Sequence, residues 1–426
     1  MEVIALFAVF LVLLLVGVPI AFSLGIASLS YLLLAGIPLT IVPQRLYSGI
    51  DTFVLLCIPG FVLAGNLMNV GNITEHIVRF SNALVGHIRG GLGLANVGGS
   101  MIFGGISGTA VADAASIGSV MIPGMAKAGY DKPFSAAVTA ASSTIGPIIP
   151  PSVPMIIAGS LTGVSVGRMF LAGAIPGILL GLAMMVTVYL LAIRRGYPKE
   201  RRVPFLELLR EGRTAFWALL MTGIILYGII GGFFTPTEAS IVASLYALVV
   251  GMYVYKGLSW RKLPAILSDT VLTSSALLLL VGLANLFGWI LTSQQIPQMV
   301  AAGILAISEN PLVVILILNL IMLFVGAFME TIAALIILFP ALLGVATGVG
   351  MDPVHFAVMA VLNLMIGLTT PPVGVCLFVV AGIGNLQMMA VARAILPFLL
   401  CNLVVLLLVA YVPFISLWLP NLILGQ

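Results

Sequence analysis

Long apolar runs broken by proline and glycine set the pattern of this chain. Residues 133 to 167, 270 to 308 and 394 to 426 contain no Asp, Glu, Lys or Arg. Each can therefore hold a membrane-spanning helix of about 20 residues. In the first half, residues 1 to 193, the pattern predicts two spans within 3 to 35 and a lateral helix over 51 to 70. A Gly-rich re-entrant hairpin over 91 to 125, a broken span over 133 to 163 and a final span over 168 to 193 follow. A basic linker, 194 to 213, leads into the second half, 214 to 426. There the same order predicts spans within 214 to 256, a lateral helix over 269 to 293, a hairpin over 311 to 345, a broken span over 353 to 383 and a span over 394 to 418. The expected fold is an all-α membrane protein built from two repeats.

A series of punctuating residues recurs in the same order in the second half. Pro19 returns about 217 positions later as Pro236, Asp51-Thr52 as Asp269-Thr270, Asp113 as Glu330 and Pro123 as Pro340. After one insertion the offset becomes 221, pairing Gly129 with Gly350, Ile145-Gly146 with Ile366-Gly367 and Pro150-Pro151 with Pro371-Pro372. A half-length duplication with helix breakers in matching places points to a secondary transporter whose binding site lies where the breaks meet.

Composition and charge sharpen that picture. Hydrophobic residues make up 62% and charged residues 7% of the 426 positions, with a mean hydropathy of +1.27. Too little polar surface is available to coat a soluble core of this size. The start, residues 1 to 22, has an acidic residue where a signal peptide has basic ones and reads as a first span. With the N-terminus outside, fifteen basic residues fall in cytoplasmic loops (72 to 90, 126 to 132, 194 to 213, 256 to 268 and 384 to 393), against Arg45 and Arg168 outside. That bias follows the positive-inside rule only if the second half is inverted relative to the first, which places both termini in the periplasm. The net charge of +4 thus reflects topology. No nucleic-acid partner is expected, because the basic residues are spread over short loops; beside a membrane they attract anionic lipid. Cys57, Cys376 and Cys401 show no metal or redox spacing.

The chemistry concentrates at the breaks. From Thr109 to Pro123 the hairpin arm, if helical, reaches roughly 22 Å, too short to span. Glycines 104, 105 and 108 allow it to turn near the midplane or, alternatively, simply allow close helix packing. Pro147, Pro150, Pro151 and Pro154 cannot all sit in a continuous helix, and Pro371 and Pro372 force the same break in the second copy. Unwound carbonyls beside the hydroxyls of Ser142, Ser143 and Thr144, and of Thr369 and Thr370, suit a sodium ion at each hairpin tip. Half-helices starting near Thr109, Ala327, Ser152 and Val373 would present bare N–H groups to a carboxylate. Asp113 and Glu330 are either proton carriers or electrostatic partners of the cation sites, or buried hydrogen-bond anchors; the hydroxyls near the tips favour the anchor. Asn363 can serve in the same way. His76, His87 and His355 lie in loops or at span ends. No enzymatic activity or organic cofactor is expected, since duplication accounts for two translocation half-sites better than for one active site.

These residues resemble the large membrane subunit (M subunit) of tripartite ATP-independent periplasmic (TRAP) transporters, across essentially the whole chain. The motifs are GVPIAFSLG at 17 to 25, GGISGTAVADAASIGSVMIPGMAKAGYD at 104 to 131, IGPIIPPS at 145 to 152, FFTPTEAS at 233 to 240, GAFMETIAALIILFP at 326 to 340 and TTPPVG at 369 to 374. The resemblance implies a sodium-coupled, elevator-type importer of organic acids, such as sialic acids or dicarboxylates, in the bacterial inner membrane. It implies two partners, a small four-helix membrane subunit on a separate chain and a periplasmic substrate-binding protein. Carried onto this sequence, it gives a first sodium site at Ser107, Gly108 and Thr109 with Thr144, Ile145 and Gly146. A second would lie at Gly326 and Ala327 with Thr369 and Thr370, and the substrate between the tips. The same architecture working as a stand-alone sodium- or proton-coupled symporter or antiporter remains the alternative.

Overall fold

The computed structural model describes residues 2 to 200, 202 to 371 and 373 to 425, with side chains for all of these except residues 106 and 107. The described residues form helices joined by short turns, with no strand among them. α1 (Glu2–Val16) and α2 (Ile20–Leu34) are parted at Gly17, whose φ of +89° suits only glycine, and at Pro19. α3 (Ile41–Ile50), a 3-10 turn (Phe53–Leu56) and α4 (Cys57–Val70) follow, so the lateral element is broken at the extended Thr52. Its counterpart in the second half is one continuous helix, α13 (Leu263–Ser293).

Residues 72 to 90, read as a loop, contain a further helix, α5 (Ile73–Val85), which buries Ile73, Ile77, Val78 and Ser81 on one face. Its apolar positions recur every three to four residues, and that spacing outweighs its polar composition. Then come the hairpin, α6 (Gly91–Ser107) and α7 (Ala110–Lys127), the split helix α8 (Lys132–Ser143) and α9 (Val153–Thr162), and the 30-residue α10 (Val166–Arg195).

The second half begins inside the linker. α11 (Phe205–Ile230) starts directly after Pro204, because FLELLREGR is rich in the strong helix formers Leu, Glu and Arg despite its charge. α12 (Pro236–Val249) opens with a capping box in which Thr235 and Glu238 satisfy each other's backbone N–H groups, and it ends in a π-helical turn at Val250–Val254. α14 (Ile296–Ile307) occupies residues left unassigned in the sequence reading. The second hairpin is α15 (Pro311–Gly326) and α16 (Thr331–Gly348), and the second split helix is α17 (Pro353–Gly367) and α18 (Val375–Gly384). α19 (Met388–Tyr411) and α20 (Phe414–Leu424) replace the single expected span, since Pro413 restricts Val412 to a non-helical conformation. Arg393, placed in a loop by its charge, lies in the second turn of α19.

Among the described residues, seven helical segments are long and apolar enough to cross a membrane, counting Phe53–Val70 and Pro236–Val254 each as one. α4 packs on α12, and α13 packs on α2 and α3, forming an outer frame that exposes large apolar side chains such as Leu15, Leu33, Leu245 and Leu272. The split helices form the interior. Every residue of α8 from Phe134 to Ser143 is buried, as is every residue of α17 from Val354 to Gly367. Packing crosses between the halves in matched fashion: α7 and α8 lie against α18, while α16 and α17 lie against α9.

Candidate functional site

At the first hairpin tip the chain reverses in two residues. Gly108 adopts φ +63°, which an L side chain resists, and Thr109 is extended before α7 begins. The tip rests on the unwound stretch between α8 and α9, residues 144 to 152. A Cβ on Gly146 would lie 2.9 Å from the Gly104 α-carbon and would also collide with the Asp113 carboxylate, and one on Gly104 would overlap the Gly146 backbone. A Cβ on Gly105 or Gly108 would touch the carbonyl oxygens of Pro150 or Pro151, at 3.1 and 3.3 Å. These glycines thus let backbone meet backbone where no side chain could fit.

Oxygen dominates the unwound stretch. Ser143 and Thr144 donate their hydroxyls to the carbonyls of Ala140 and Ala141 at 2.8 and 2.7 Å. Ser152 caps α9, accepting from the Met155 N–H at 3.2 Å while donating to the Pro147 carbonyl. Ile145 is fully buried beside them. Ser107 closes α6, and its side chain lies outside the described residues.

The second tip repeats the contact with different capping. A Cβ on Gly367 would stand 2.7 Å from the Gly326 α-carbon. Thr369 and Thr370 both donate to the Ile366 carbonyl, at 2.8 and 2.9 Å. Gly374, at φ +52°, donates its N–H to the Ala327 carbonyl at 3.5 Å, tying tip to break. Ala327 closes α15 in αR geometry and does not open a half-helix as expected; the N-terminus on that arm is at Thr331. Val373 lies in the turn ahead of α18, and Pro372 lies outside the described residues.

Asp113 and Glu330 do not occupy matching places. Glu330 is the N-cap of α16, accepting from the N–H groups of Ile332 and Ala333 at 2.9 and 3.3 Å. Asp113 sits one turn inside α7, fully buried, facing Gly146. The difference follows from turn length, two residues at the first tip and four at the second, so the aligned acids enter their helices at different points. The Cys376 thiol at the start of α18 lies against the Ser143 hydroxyl and close to Asp113. Through it the second break adjoins the first.

Asn363 belongs to a linkage the sequence reading saw only in part. Its amide donates to the carbonyl and the side-chain oxygen of Asn319 on α15, at 2.9 and 2.8 Å. In the first half Asn96 on α6 donates to Thr139 at 2.7 Å and accepts from Ser142 at 3.3 Å, and Ser100 donates to Ser142 at 2.8 Å. Each hairpin is thus fastened to its split helix by buried amides. Asn96 and Asn319 could have been found as the asparagines of the two first hairpin arms.

Among the described residues no group of three His, Cys, Asp or Glu is placed to hold a metal ion. The polar groups at the breaks are instead hydroxyl and backbone carbonyl oxygens, with the buried Asp113 carboxylate beside the first.

Residues 7–415 match the family described as "Tripartite ATP-independent periplasmic transporter, DctM component". The chain is 46% identical to the sialic acid TRAP transporter large permease protein SiaM of Vibrio cholerae, over 97% of each chain. It is 38% identical to the C4-dicarboxylate TRAP transporter large permease protein DctM of the same species, over 100% of this chain and 99% of that one. In fold it is similar to the Alcanivorax borkumensis YdaH transporter, with a TM-score of 0.64 at 14% identity, covering 89% and 88% of the two chains. The relatives are transport permeases, not enzymes. From the glycine-lined breaks to the match over nearly its whole length, the chain belongs to the DctM family of TRAP transporter large permease subunits.

Proposed function

We propose that this chain imports a carboxylate-bearing organic acid across the bacterial inner membrane, driven by sodium, with the two hairpin tips and breaks forming the translocation site. The observation that carries the reading is the pair of glycine contacts, Gly104 with Gly146 and Gly326 with Gly367, each beside threonine hydroxyls on unwound backbone. Sodium at Gly108, Thr109, Thr144, Ile145 and Gly146, and at Gly326, Ala327, Thr369 and Thr370, would supply the positive charge that the tips lack. The substrate carboxylate would lie between the tips, against the N-termini of α7 and α9.

The matched, crossed packing of α7 and α8 on α18 and of α16 and α17 on α9 supports two inverted repeats. We infer an elevator motion in which the hairpins and split helices move as one unit past the frame of α1 to α4 and α11 to α13. Both termini are assigned to the periplasm by the basic-residue bias. A periplasmic binding protein delivers the substrate, and a small membrane subunit completes the frame. The similarity to SiaM and DctM makes sialic acid and C4-dicarboxylates the first substrates to test.

Uptake into proteoliposomes holding this chain and its small subunit, under an inward sodium gradient, tests the reading. Uptake of a labelled acid that requires sodium and the binding protein is expected. Uptake indifferent to the binding protein would instead indicate a stand-alone symporter.

A further inference from the structure

The start of α11 carries charges in a defined order. Glu207, Arg210, Glu211, Thr214 and Trp217 recur at three- and four-residue spacing and form one stripe along the helix. That stripe faces α5, whose His76 and Arg79 share a face one turn apart, across a cavity of about 590 Å³. A second cavity of about 420 Å³ shares His76, Arg210 and Thr214 with the first and continues to Arg213, Trp217 and Val254. The two form one groove. Its wall is firm, since the His76 ring stacks on Tyr255 at 5.0 Å and the Tyr255 hydroxyl donates to the Thr214 carbonyl.

The charges in this groove are not spent on one another. Among the described residues no ion pair within 4.0 Å engages Glu207, Arg210, Glu211 or Arg213, and Arg79 meets only Glu75, at 3.6 Å with both side chains more than half exposed. At 1.5 Å rise per residue, Glu207 stands about 4.5 Å farther out than Arg210, and Trp217 about 6 Å deeper than Arg213. Below Trp217 the helix exposes apolar side chains such as Leu219 and Tyr227. Moving inward, the groove therefore passes from the Glu207 carboxylate through a middle layer of Arg210, Glu211 and Arg213 to an aromatic and aliphatic wall. Free phosphate would use only the middle layer. A membrane phospholipid uses all three.

We propose that this groove is a binding site for a glycerophospholipid with a phosphoethanolamine headgroup. Arg210, Arg213 and Arg79 hold the phosphate, Glu207 and Glu211 receive the ammonium, and Trp217 and Val254 take the glycerol and first acyl carbons. The lipid would bridge α5 to α11. This assignment is independent of the transport reading, because it concerns a groove on the outer face and requires no sodium or substrate.

Native mass spectrometry of the delipidated full chain, with defined lipids added back, tests it. Phosphatidylethanolamine should be retained in preference to phosphatidylglycerol. The double variant R210Q/R213Q should lower retention of both by about fivefold or more, and E207Q/E211Q should remove the preference for phosphatidylethanolamine alone. Should R210Q/R213Q fail to fold, R79Q, an exposed change on α5, should still lower retention about twofold or more. Equal retention by wild type and by a folded arginine variant would overturn the proposal. Displacement of the lipid by millimolar inorganic phosphate would also overturn it, showing a site for free phosphate.

Discussion

The α-carbon of Gly104 lies where a side chain of Gly146 would have to stand, 2.9 Å from its Cβ position. This hairpin tip and this broken helix are in backbone contact, with the Asp113 carboxylate closing the third side. No other residue type fits at either position. Removing the glycine should therefore damage the site far more than its small size suggests.

Gly146→Ala should reduce sodium-dependent uptake by about tenfold or more, because the added methyl group must push apart two backbones or displace Asp113, at a cost of about 1–3 kcal/mol. Gly367→Ala should do the same at the second tip, where the Gly326 backbone is 2.5 Å away. Initial uptake rates at matched reconstitution levels check this. Rates within twofold of wild type for both variants would mean that the tips do not work in this packed arrangement.

Asn363→Leu should destabilise the protein by about 1–3 kcal/mol, since it removes the donor that the Asn319 carbonyl and side-chain oxygen share. Asn96→Leu should cost a similar amount by freeing Thr139 and Ser142. Thermal melts in detergent measure both. An unchanged midpoint in either variant would show that the amide link is not what fastens hairpin to split helix.

Asp113→Asn keeps shape but removes charge at a fully buried position beside Gly146. If sodium drives transport, uptake should persist at a reduced rate with a weaker apparent sodium affinity. Abolished uptake together with a proton requirement in the wild type would make Asp113 a proton carrier instead.

Thr235→Ala breaks the capping box at the start of α12, where Thr235 accepts from the Glu238 N–H at 3.3 Å and the Glu238 carboxylate accepts from the Thr235 N–H at 2.8 Å. A loss of about 1 kcal/mol is expected. A melting midpoint equal to wild type would show that packing of α12 on α4 alone fixes this helix start.

Breaks were easier to read from the sequence than ends. Pro147, Pro150 and Pro151 located the first unwound stretch because missing N–H donors leave no helical alternative. Glycine-rich tips located the turns for a related reason. The helical start of α11 is hidden because FLELLREGR is charged and follows a polar stretch, although Leu, Glu and Arg are all strong helix formers. α5 was hidden in the same way. The inequality of Asp113 and Glu330 could not be read from alignment, because it depends on how many residues each tip spends in its turn. The pairing of Asn363 with Asn319 needed three-dimensional proximity, as the two are far apart in sequence.

In the proposed mechanism each of the two tip-and-break junctions holds one coupling ion. The most direct measurement is the ratio of sodium to substrate flux in proteoliposomes at a series of imposed membrane potentials. Two or more sodium ions per organic acid are expected, one for each junction. A ratio of one or none would contradict the account.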